Sequence, residues 1–382
     1  MRHSGELIEQ DMINILMICG KLNIGGAEKV VYEIGMHCDP SRFHIDYLVF
    51  FDEIGELEAP LKKHGHNVIR MPLPSAGYGA FIGGLRKLIR QGSYQVVHSH
   101  TMFNSGLILT VARQMGVPVR ISHAHTISSM KRTPARRLYE RFMRQLIVSN
   151  ATDLVACGRA AGIWLYGEKA FRRKGKLILN GVDVRKYRFD SVKRREIRER
   201  YGLDASFVIG HAGRMAAEKN QIFLVELMPE ILRRRPDAVL LLVGDGEQRV
   251  MLEDRIRKLG IMEAVIMTGM VLNVQDYLSA MDVFVLPSVF EGMPLSVVET
   301  QSNGLPCLLS SAVPRDVHLT DLVRTASLQD PAEKWITGIL DSKRKDSESY
   351  NERMLKSGFD IQDMVGKIYE IYSRAEAKEK TG

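Results

Sequence analysis

The segment from Pro287 to Glu299 reads PSVFEGMPLSVVE and has the pattern of a strand end, a loop and a helix start. It follows a short apolar run, 283–287, that is typical of a buried strand. Pro294 stands where a helix can begin, because proline is tolerated in the first turn. Units of this kind, repeated along a chain, build α/β domains with parallel sheets.

The same alternation of apolar runs and helix-period stretches occurs twice along the 382 residues. We therefore predict an α/β fold of two doubly wound Rossmann-like domains that face a central cleft. The expected boundaries are 1–190 for an N-terminal domain and 191–359 for a C-terminal domain. A final helix at about 360–378 is expected to pack back on the N-terminal domain. The strands predicted before residue 190 are 13–19, 45–50, 67–71, 96–99, 119–123, 154–157 and 176–179, and those after it are 207–213, 238–244, 264–268, 283–287 and 306–310.

Two carboxylates of the opening segment, Glu291 and Glu299, lie eight positions apart. Glu291 is predicted in the loop and Glu299 one to two turns into the helix. The backbone N–H groups of Leu295 and Ser296 would then point at an anion. One carboxylate can reach a sugar and the other a ribose diol, with phosphates between them.

A second loop carries two cations, Arg214 and Lys219, directly after the predicted strand 207–213. Cations at the carboxyl end of a strand suit a diphosphate, whose charge they can stabilise as it leaves. The alternative is a pair of surface cations, one of them paired with Glu218. Gly25 and Gly26 form a third candidate, because a glycine pair at a strand-to-helix turn lets backbone approach a ligand closely. An ordinary tight turn would have the same sequence.

Composition agrees with a globular protein, at 45% hydrophobic and 26% charged residues. No apolar run approaches the roughly 20 residues of a membrane span, and the polar N-terminus does not have the pattern of a signal peptide. The four cysteines have no close spacing that suggests a disulfide framework or a zinc site. These features predict a cytoplasmic protein.

The net charge of +8 is uneven, at about +11 for residues 1–190 and about −3 for the rest. A basic amphipathic helix is predicted to carry the densest charge and to lie on an anionic membrane surface, which would make the protein peripheral on the inner face of the plasma membrane. A merely solvated face is the alternative. No nucleic-acid-binding signature accompanies the charge, so a nucleic-acid partner is not expected. The cations of this helix are Lys131, Arg132, Arg136, Arg137, Arg141 and Arg144.

These motifs together resemble the retaining glycosyltransferases of family 4, which have the GT-B fold, and within them the bacterial enzymes of exopolysaccharide or capsule assembly. The Glu291–Glu299 spacing matches the central Glu-x7-Glu motif of the family. Gly213-Arg214 with Glu218-Lys219, and the Gly25-Gly26 turn, match two further motifs. The histidine segments at 98–100 and 122–126 resemble those of its N-terminal domain. The matches run in order from about residue 13 to residue 335.

The resemblance implies that the domain 1–190 binds the acceptor and the domain 191–359 binds the nucleotide sugar. It also implies a role for each matching residue. Glu291 would hold hydroxyls of the donor sugar, and Glu299 would bind the nucleotide ribose. Arg214 and Lys219 would stabilise the leaving diphosphate. The remaining implied site residues are Leu295 and Ser296 through their amides, Gly213 and Met293 at the donor, Val271 beside the base, Gly25 and Gly26 over phosphate or acceptor, and His125 at the transferring sugar.

The resemblance also implies that no metal and no cofactor are required, since cations and the helix dipole neutralise the diphosphate. The expected donor is a UDP-linked hexose or N-acetylhexosamine, and the expected acceptor is a glycan or a polyprenyl-diphosphate-linked sugar. Two alternatives stay open from the sequence: a GT-B nucleotide-sugar epimerase, and an inactive partner subunit that only binds nucleotide sugars.

Overall fold

A computed structural model describes residues 12–23, 25–73, 75, 77–125, 133–345 and 347–379. The chain forms two compact units. One comprises the residues up to Gly181 together with those from Ile361 onward, and the other runs from Val182 to Asp360. The boundary expected at residues 190 and 191 therefore falls inside the second unit.

The first unit contains a seven-stranded sheet in the order β3-β2-β1-β4-β5-β6-β7, with every pairing parallel. Its strands are β1 Ile13–Ile18, β2 Phe43–Val49, β3 Asn67–Arg70, β4 Val96–Ser99, β5 Val119–Ala124, β6 Asp153–Ala156 and β7 Gly175–Leu177. Its helices are α1 Gly26–Met36, α2 Glu58–Lys63, α3 Tyr78–Gly92, α4 Ser105–Gln114, α5 Pro134–Asn150, α6 Arg159–Tyr166 and α7 Glu168–Lys174.

Helices cover both faces of this sheet, and β1 shows why its sequence is continuously apolar. Ile15 and Met17 point into one core, whereas Leu16 and Ile18 point into the other. Alternate side chains of a strand lie on opposite faces, so a strand that is buried on both sides cannot alternate with polar residues. The prediction of parallel strands from continuous apolar runs is confirmed.

The second unit contains a six-stranded parallel sheet in the order β10-β9-β8-β11-β12-β13. Its strands are β8 Phe207–Ala212, β9 Ala238–Val243, β10 Val265–Met267, β11 Val283–Leu286, β12 Cys307–Ser310 and β13 Val323–Ala326. Its helices are α8 Ser191–Tyr201, α9 Gln221–Arg234, α10 Arg249–Leu259, α11 Val274–Ala280, α12 Leu295–Ser302, α13 Ala332–Leu340 and α14 Ser347–Leu355.

Strand β13 has no counterpart among the predicted strands. It pairs only with β12, at the edge of the sheet, and its two central residues, Arg324 and Thr325, are exposed. An edge strand of this kind lacks the apolar run by which a buried strand is recognised.

The chain then returns to the first unit in α15 Ile361–Tyr372 and α16 Arg374–Glu379, which Ser373 separates. The apolar face of α15 is part of the first unit's core, with Met364, Val365 and Ile368 all buried. Tyr369 stacks on Phe43 with ring centroids 4.7 Å apart. The expected single helix at 360–378 is therefore two helices, of which α15 buries the larger apolar face.

Among the described residues, none of the helices combines the length and the apolar composition that a membrane span requires. All four cysteines are free and buried.

We predict that Ile368→Ala, which removes a side chain with no exposed surface, lowers the free energy of unfolding by about 2–4 kcal/mol, because it leaves a cavity under α15. Glu370→Ala on the exposed side of α15 is the matched control and should change stability by less than about 0.5 kcal/mol. Urea denaturation followed by circular dichroism measures both. Equal effects of the two variants would contradict the packing of α15 described above.

Candidate active site

The candidate residues of the second unit lie where the strand order of its sheet reverses, between β8 and β11. Strands β8 and β11 are neighbours in the sheet, although two strand–helix units separate them in sequence. The loops that follow them diverge to opposite faces of the sheet, and such a switch point is where open α/β sheets bind ligands. The loop after β8 carries Arg214 and Lys219, and the loop after β11 carries Glu291.

An ion pair joins these two loops, since Lys219 Nζ lies 2.7 Å from Glu291 Oε1. The Lys219 side chain is 20% exposed and that of Glu291 only 9%. Ser288 Oγ donates to the same carboxylate oxygen over 2.7 Å. Oε1 of Glu291 is thus held by two donors.

Backbone contacts fix the same two loops against each other. Val289 N donates to Glu218 O over 2.9 Å, and Asn220 Nδ2 donates to Pro287 O over 3.1 Å. Asn220 adopts a left-handed conformation with φ of 56°, which asparagine tolerates better than most residues. These contacts hold Lys219 and Glu291 in place independently of their charges.

His211 and Gln221 hold the loop that carries Arg214, the arginine loop, through hydrogen bonds. His211 Nδ1 donates to Val285 O over 3.0 Å, so its Nε2 accepts from Gln221 Nε2 at 3.1 Å. Gln221 Nε2 also donates to Arg214 O over 2.8 Å. Burial, aided by the positive charge of Lys219, lowers the pKa of His211 to about 4. His211 is therefore neutral near pH 7 and keeps one tautomer.

Arg214 itself is exposed and lies 2.7 Å from Glu218 Oε1. The side chains of this pair are 64% and 40% exposed, so the pair contributes little to stability and can open at small cost. Pairing with Glu218, the alternative that the sequence left open, is the arrangement observed.

Helix α12 begins at Leu295, directly after Pro294. Leu295 and Ser296 are its first two residues, and the first N–H groups of a helix have no partner within it. Glu299 lies further along the same helix and is buried, with 6% of its surface exposed. One short helix therefore presents two amides and a carboxylate.

Close backbone packing shapes the adjoining loops. Gly244, with φ of 132°, leaves no room for a side chain, because a Cβ there would lie 2.2 Å from Gly213 O. Gly244 N donates to Gly269 O over 3.1 Å. Val271 and Met293, the two other predicted contacts, are both partly exposed in loops, after β10 and β11 respectively.

The candidate residues of the first unit lie at the ends of β1 and β5. Gly25 caps α1 and Gly26 begins it. The side chain of Glu28 folds over this turn, so that a Cβ on Gly25 would lie 2.4 Å from Glu28 Oε2. An anion bound at the start of α1 would have to displace this carboxylate.

His125 follows β5, and its Nε2 lies 2.7 Å from His100 Nδ1. Its Nδ1 is buried and has no hydrogen-bond partner among the described residues. Burial lowers the pKa of His125 to about 4. The sequence indicated four histidines here, but not that they pack against one another.

The basic helix differs in part from its prediction. In α5 the exposed side carries Leu138 and Phe142, with 71% and 60% of their surfaces exposed, beside Arg137 and Arg141. Arg144 turns away from this side, because its guanidinium donates to Trp164 O and Leu165 O and packs over Phe103. Its assignment to a membrane-facing set is therefore wrong. Arg136 bonds to the buried Glu140, whereas Lys131 and Arg132 lie outside the described residues.

Comparison with known proteins decides the family. Glycosyltransferase Family 4 matches residues 24–186, and Glycosyl transferases group 1 matches residues 206–341. The chain is 30% identical over 374 residues to the putative glycosyltransferase EpsF of Bacillus subtilis, covering 96% of this chain and 97% of that protein. The chain belongs to glycosyltransferase family 4.

A further relative and a solved structure agree with this assignment to family 4. An Escherichia coli UDP-Gal:alpha-D-GlcNAc-diphosphoundecaprenol alpha-1,3-galactosyltransferase is 31% identical over 59% of this chain and 60% of its own length. Anabaena Alr3699/HepE in complex with UDP-glucose has a TM-score of 0.76 at 20% identity, covering 95% of this chain and 100% of that one. The fold is thus of the GT-B type, and the protein is a glycosyltransferase.

We predict that a double-mutant cycle on Lys219→Met and Glu291→Gln gives a coupling free energy of about 2–4 kcal/mol, because each single change leaves a largely buried charge without its partner. The exposed pair Arg257 and Asp254, 2.8 Å apart with side chains 64% and 55% exposed, is the control. Arg257→Met and Asp254→Asn should couple by less than about 0.5 kcal/mol. Urea unfolding of the four variants in each cycle provides the free energies. Additive effects at Lys219 and Glu291 would show that their charges do not support each other.

Proposed function

We propose that this family 4 enzyme is a retaining glycosyltransferase that transfers a hexose or N-acetylhexosamine from a UDP-linked donor to a glycan or lipid-linked acceptor in surface polysaccharide synthesis. The observation that carries the proposal is the Lys219–Glu291 pair at the switch point, beside the start of α12. A cation, a carboxylate and helix-start amides together match the parts of a nucleotide diphosphate sugar.

The leaving diphosphate needs positive charge as its bond to the sugar breaks. Lys219 and the amides of Leu295 and Ser296 supply it from fixed positions, and Arg214 supplies more once it leaves Glu218. These cations and the helix start would take the role that a metal ion has in other transferases.

The sugar is held by the carboxylate. With Oε1 of Glu291 bonded to Lys219 and Ser288, its Oε2 can accept hydroxyl hydrogens of the hexose. Glu299 would bind the ribose diol, and Val271 and Met293 would contact the base and the sugar. Gly213, whose backbone leads into the arginine loop, lets the diphosphate approach the main chain. In the first unit, His125 would contact the transferring sugar, and the Gly25-Gly26 turn would contact phosphate or acceptor.

Retention of configuration follows from attack on the same face as departure. The acceptor oxygen forms a bond to the anomeric carbon while the bond to the phosphate oxygen breaks. The acceptor proton passes to that phosphate oxygen, so no separate base is needed. Diphosphate charge is therefore the main quantity for the protein to stabilise.

Two relatives support the choice of donor and acceptor. The Escherichia coli relative is named for UDP-Gal and for a GlcNAc linked to diphosphoundecaprenol. The Anabaena protein was solved with UDP-glucose. A lipid-linked acceptor would bring the enzyme to a membrane.

A ligand panel tests the proposal directly. A ligand that binds only the folded protein raises its melting temperature, so UDP and a UDP-hexose should do so where GDP, ADP and CMP do not. Calorimetry then gives the affinities. Stabilisation by GDP alone would show that the donor carries guanine instead of uracil. A well-folded protein with no response to any nucleotide would contradict the proposal. Conversion of a UDP-hexose to its epimer without acceptor would favour an epimerase.

Two matched variants separate the roles. Lys219→Met should weaken UDP binding about 10- to 100-fold, because a charge-assisted contact to phosphate is lost. Glu291→Gln should keep UDP affinity within about 3-fold but reduce turnover at least about 100-fold. Lys334→Met, at an exposed ion pair, is the control. Wild-type turnover in Glu291→Gln would overturn its assignment.

We also propose that α5 docks on anionic membranes. Leu138 and Phe142 are spaced four apart, so they lie on one side of the helix, where Arg137 and Arg141 flank them. Apolar side chains that enter the headgroup region, flanked by cations, are the pattern of an interfacial helix.

We predict that Arg137→Glu with Arg141→Glu reduces binding to vesicles containing phosphatidylglycerol at least about 10-fold, since each cation contributes about 1 kcal/mol near an anionic surface. Leu138→Ser with Phe142→Ser should weaken binding as well and leave the salt dependence unchanged. Arg90→Glu, an exposed position at the end of α3, is the control. Unchanged vesicle sedimentation of the Arg137/Arg141 variant would show that α5 is only a solvated face.

A further inference from the structure

Two neighbouring strands of the first unit end in the same His-x-His pattern, His98-Ser99-His100 at β4 and His123-Ala124-His125 at β5. Alternate side chains of a strand lie on one face, and His98 is in register with Ile121 of β5. The four imidazoles therefore lie on one face of the sheet, two from the end of β4 and two from the end of β5. We call these four side chains the histidine layer. Ring centroids are 4.1 Å apart along β4, 4.2 Å along β5, and 5.0 to 5.3 Å across the strands.

This histidine layer is buried. The exposed fractions are 0% for His98, 1% for His123 and 8% for His100. Burial disfavours a charged imidazolium at all three positions. Neutral imidazoles keep one unprotonated nitrogen each, which is the form that binds metal ions.

The hydrogen bonds of the layer make two short chains. His98 Nδ1 lies 2.7 Å from Tyr372 OH, and His98 Nε2 lies 3.3 Å from His123 Nδ1. His100 Nδ1 lies 2.7 Å from His125 Nε2, and His100 Nε2 lies 3.1 Å from Met17 Sδ.

Each chain ends on an open nitrogen. His123 Nε2 and His125 Nδ1 are buried without a hydrogen-bond partner among the described residues. A buried polar atom without a hydrogen-bond partner is uncommon in a folded protein, so the polarity of this layer is not fully used by the hydrogen bonds within it.

We propose that His98, His100 and His123 bind a transition-metal ion of the zinc class. One ring nitrogen from each lies within 4.8 Å of the others. His98 Nε2 and His123 Nδ1 lie 3.3 Å apart as hydrogen-bond partners. A tetrahedral zinc with Zn–N bonds of about 2.0–2.1 Å would hold two nitrogens at a similar separation and would replace the proton between them. The thioether of Met17 and the imidazole of His125 border the same space and are the nearest further donors.

Tyr372 would support this site from the returning helix α15. A metal-bound histidine usually uses its other ring nitrogen to donate a hydrogen bond, which fixes its tautomer. With His98 Nδ1 donating to Tyr372 OH, its Nε2 has a lone pair directed at His123. The ion would thus connect β4, β5 and α15. Because His98, His100 and His123 are buried, we assign the ion a structural role and no step of the sugar transfer.

The first test measures metal in the untagged full-length protein, by plasma mass spectrometry after dialysis against a weak chelator. We expect about one zinc per chain. Removal with 1,10-phenanthroline should lower the melting temperature, and Zn²⁺ should restore it. Titration of the metal-free protein with Co²⁺ should produce visible absorption bands of tetrahedral intensity. Less than a tenth of an equivalent of metal, no Co²⁺ bands and no thermal response together overturn the proposal.

Variants locate the ion. His98→Gln with His123→Gln should abolish the Co²⁺ bands, and Tyr372→Phe should weaken Co²⁺ binding about 10- to 100-fold with the fold intact by circular dichroism. His64→Gln removes an exposed histidine and should change nothing. Bands that persist in the His98/His123 variant, or that vanish in His64→Gln, would place the metal elsewhere. If the double variant does not fold, Tyr372→Phe decides, and wild-type affinity in it contradicts the proposal. None of these measurements requires activity or nucleotide binding, so they are independent of the proposed function.

Discussion

The candidate site depends on one contact, the ion pair between Lys219 and Glu291. Each residue follows a strand next to the switch point, and the topology of the second sheet brings their loops together. Two largely buried charges of opposite sign stabilise each other mainly because the loss of either leaves the other uncompensated. In the proposed function, a donor that offers phosphate to Lys219 and hydroxyls to Oε2 of Glu291 would gain two contacts while this pair stays intact. Under the proposed function, the pair would hold both loops in the arrangement that the donor needs.

Some side chains around this pair are fixed by hydrogen bonds, whereas Arg214 is exposed and free to move. Ser288, Asn220 and Gln221 fix the loops through hydrogen bonds to buried or backbone partners. Arg214 differs, because its side chain is exposed and its only described ion pair is with Glu218 on the surface. Preorganised charge lowers the free energy of a transition state without reorganisation, whereas an exposed arginine can follow a ligand as it enters and leaves.

Much of this arrangement could be predicted from the sequence, for physical reasons. Strands buried on both faces must be continuously apolar, so β1 and β8 were recognisable, whereas the edge strand β13 was not. Lys219 and Glu291 were each identified by their position after a strand, but their contact depends on the order of strands in the sheet. Ser288 lies within the same motif and could have been found as a nearby hydroxyl. Tyr372 could not, because 274 positions separate it from His98 and no local pattern records a contact of that range.

The return of the chain to its first unit has a consequence for synthesis on the ribosome. The core on one face of the first sheet combines residues between Ile13 and Ile178 with Met364, Val365, Ile368 and Tyr372, so it cannot close until α15 emerges. At a translation rate of about 5–20 residues per second, synthesis of the second unit takes roughly ten to forty seconds, and that apolar surface stays exposed during this time. The N-terminal half of the chain is made first but is completed last. A nascent chain that stalls before residue 361 would expose a surface suited to chaperone binding. The first unit is translated before the second, but its core can close only after the second unit has been translated.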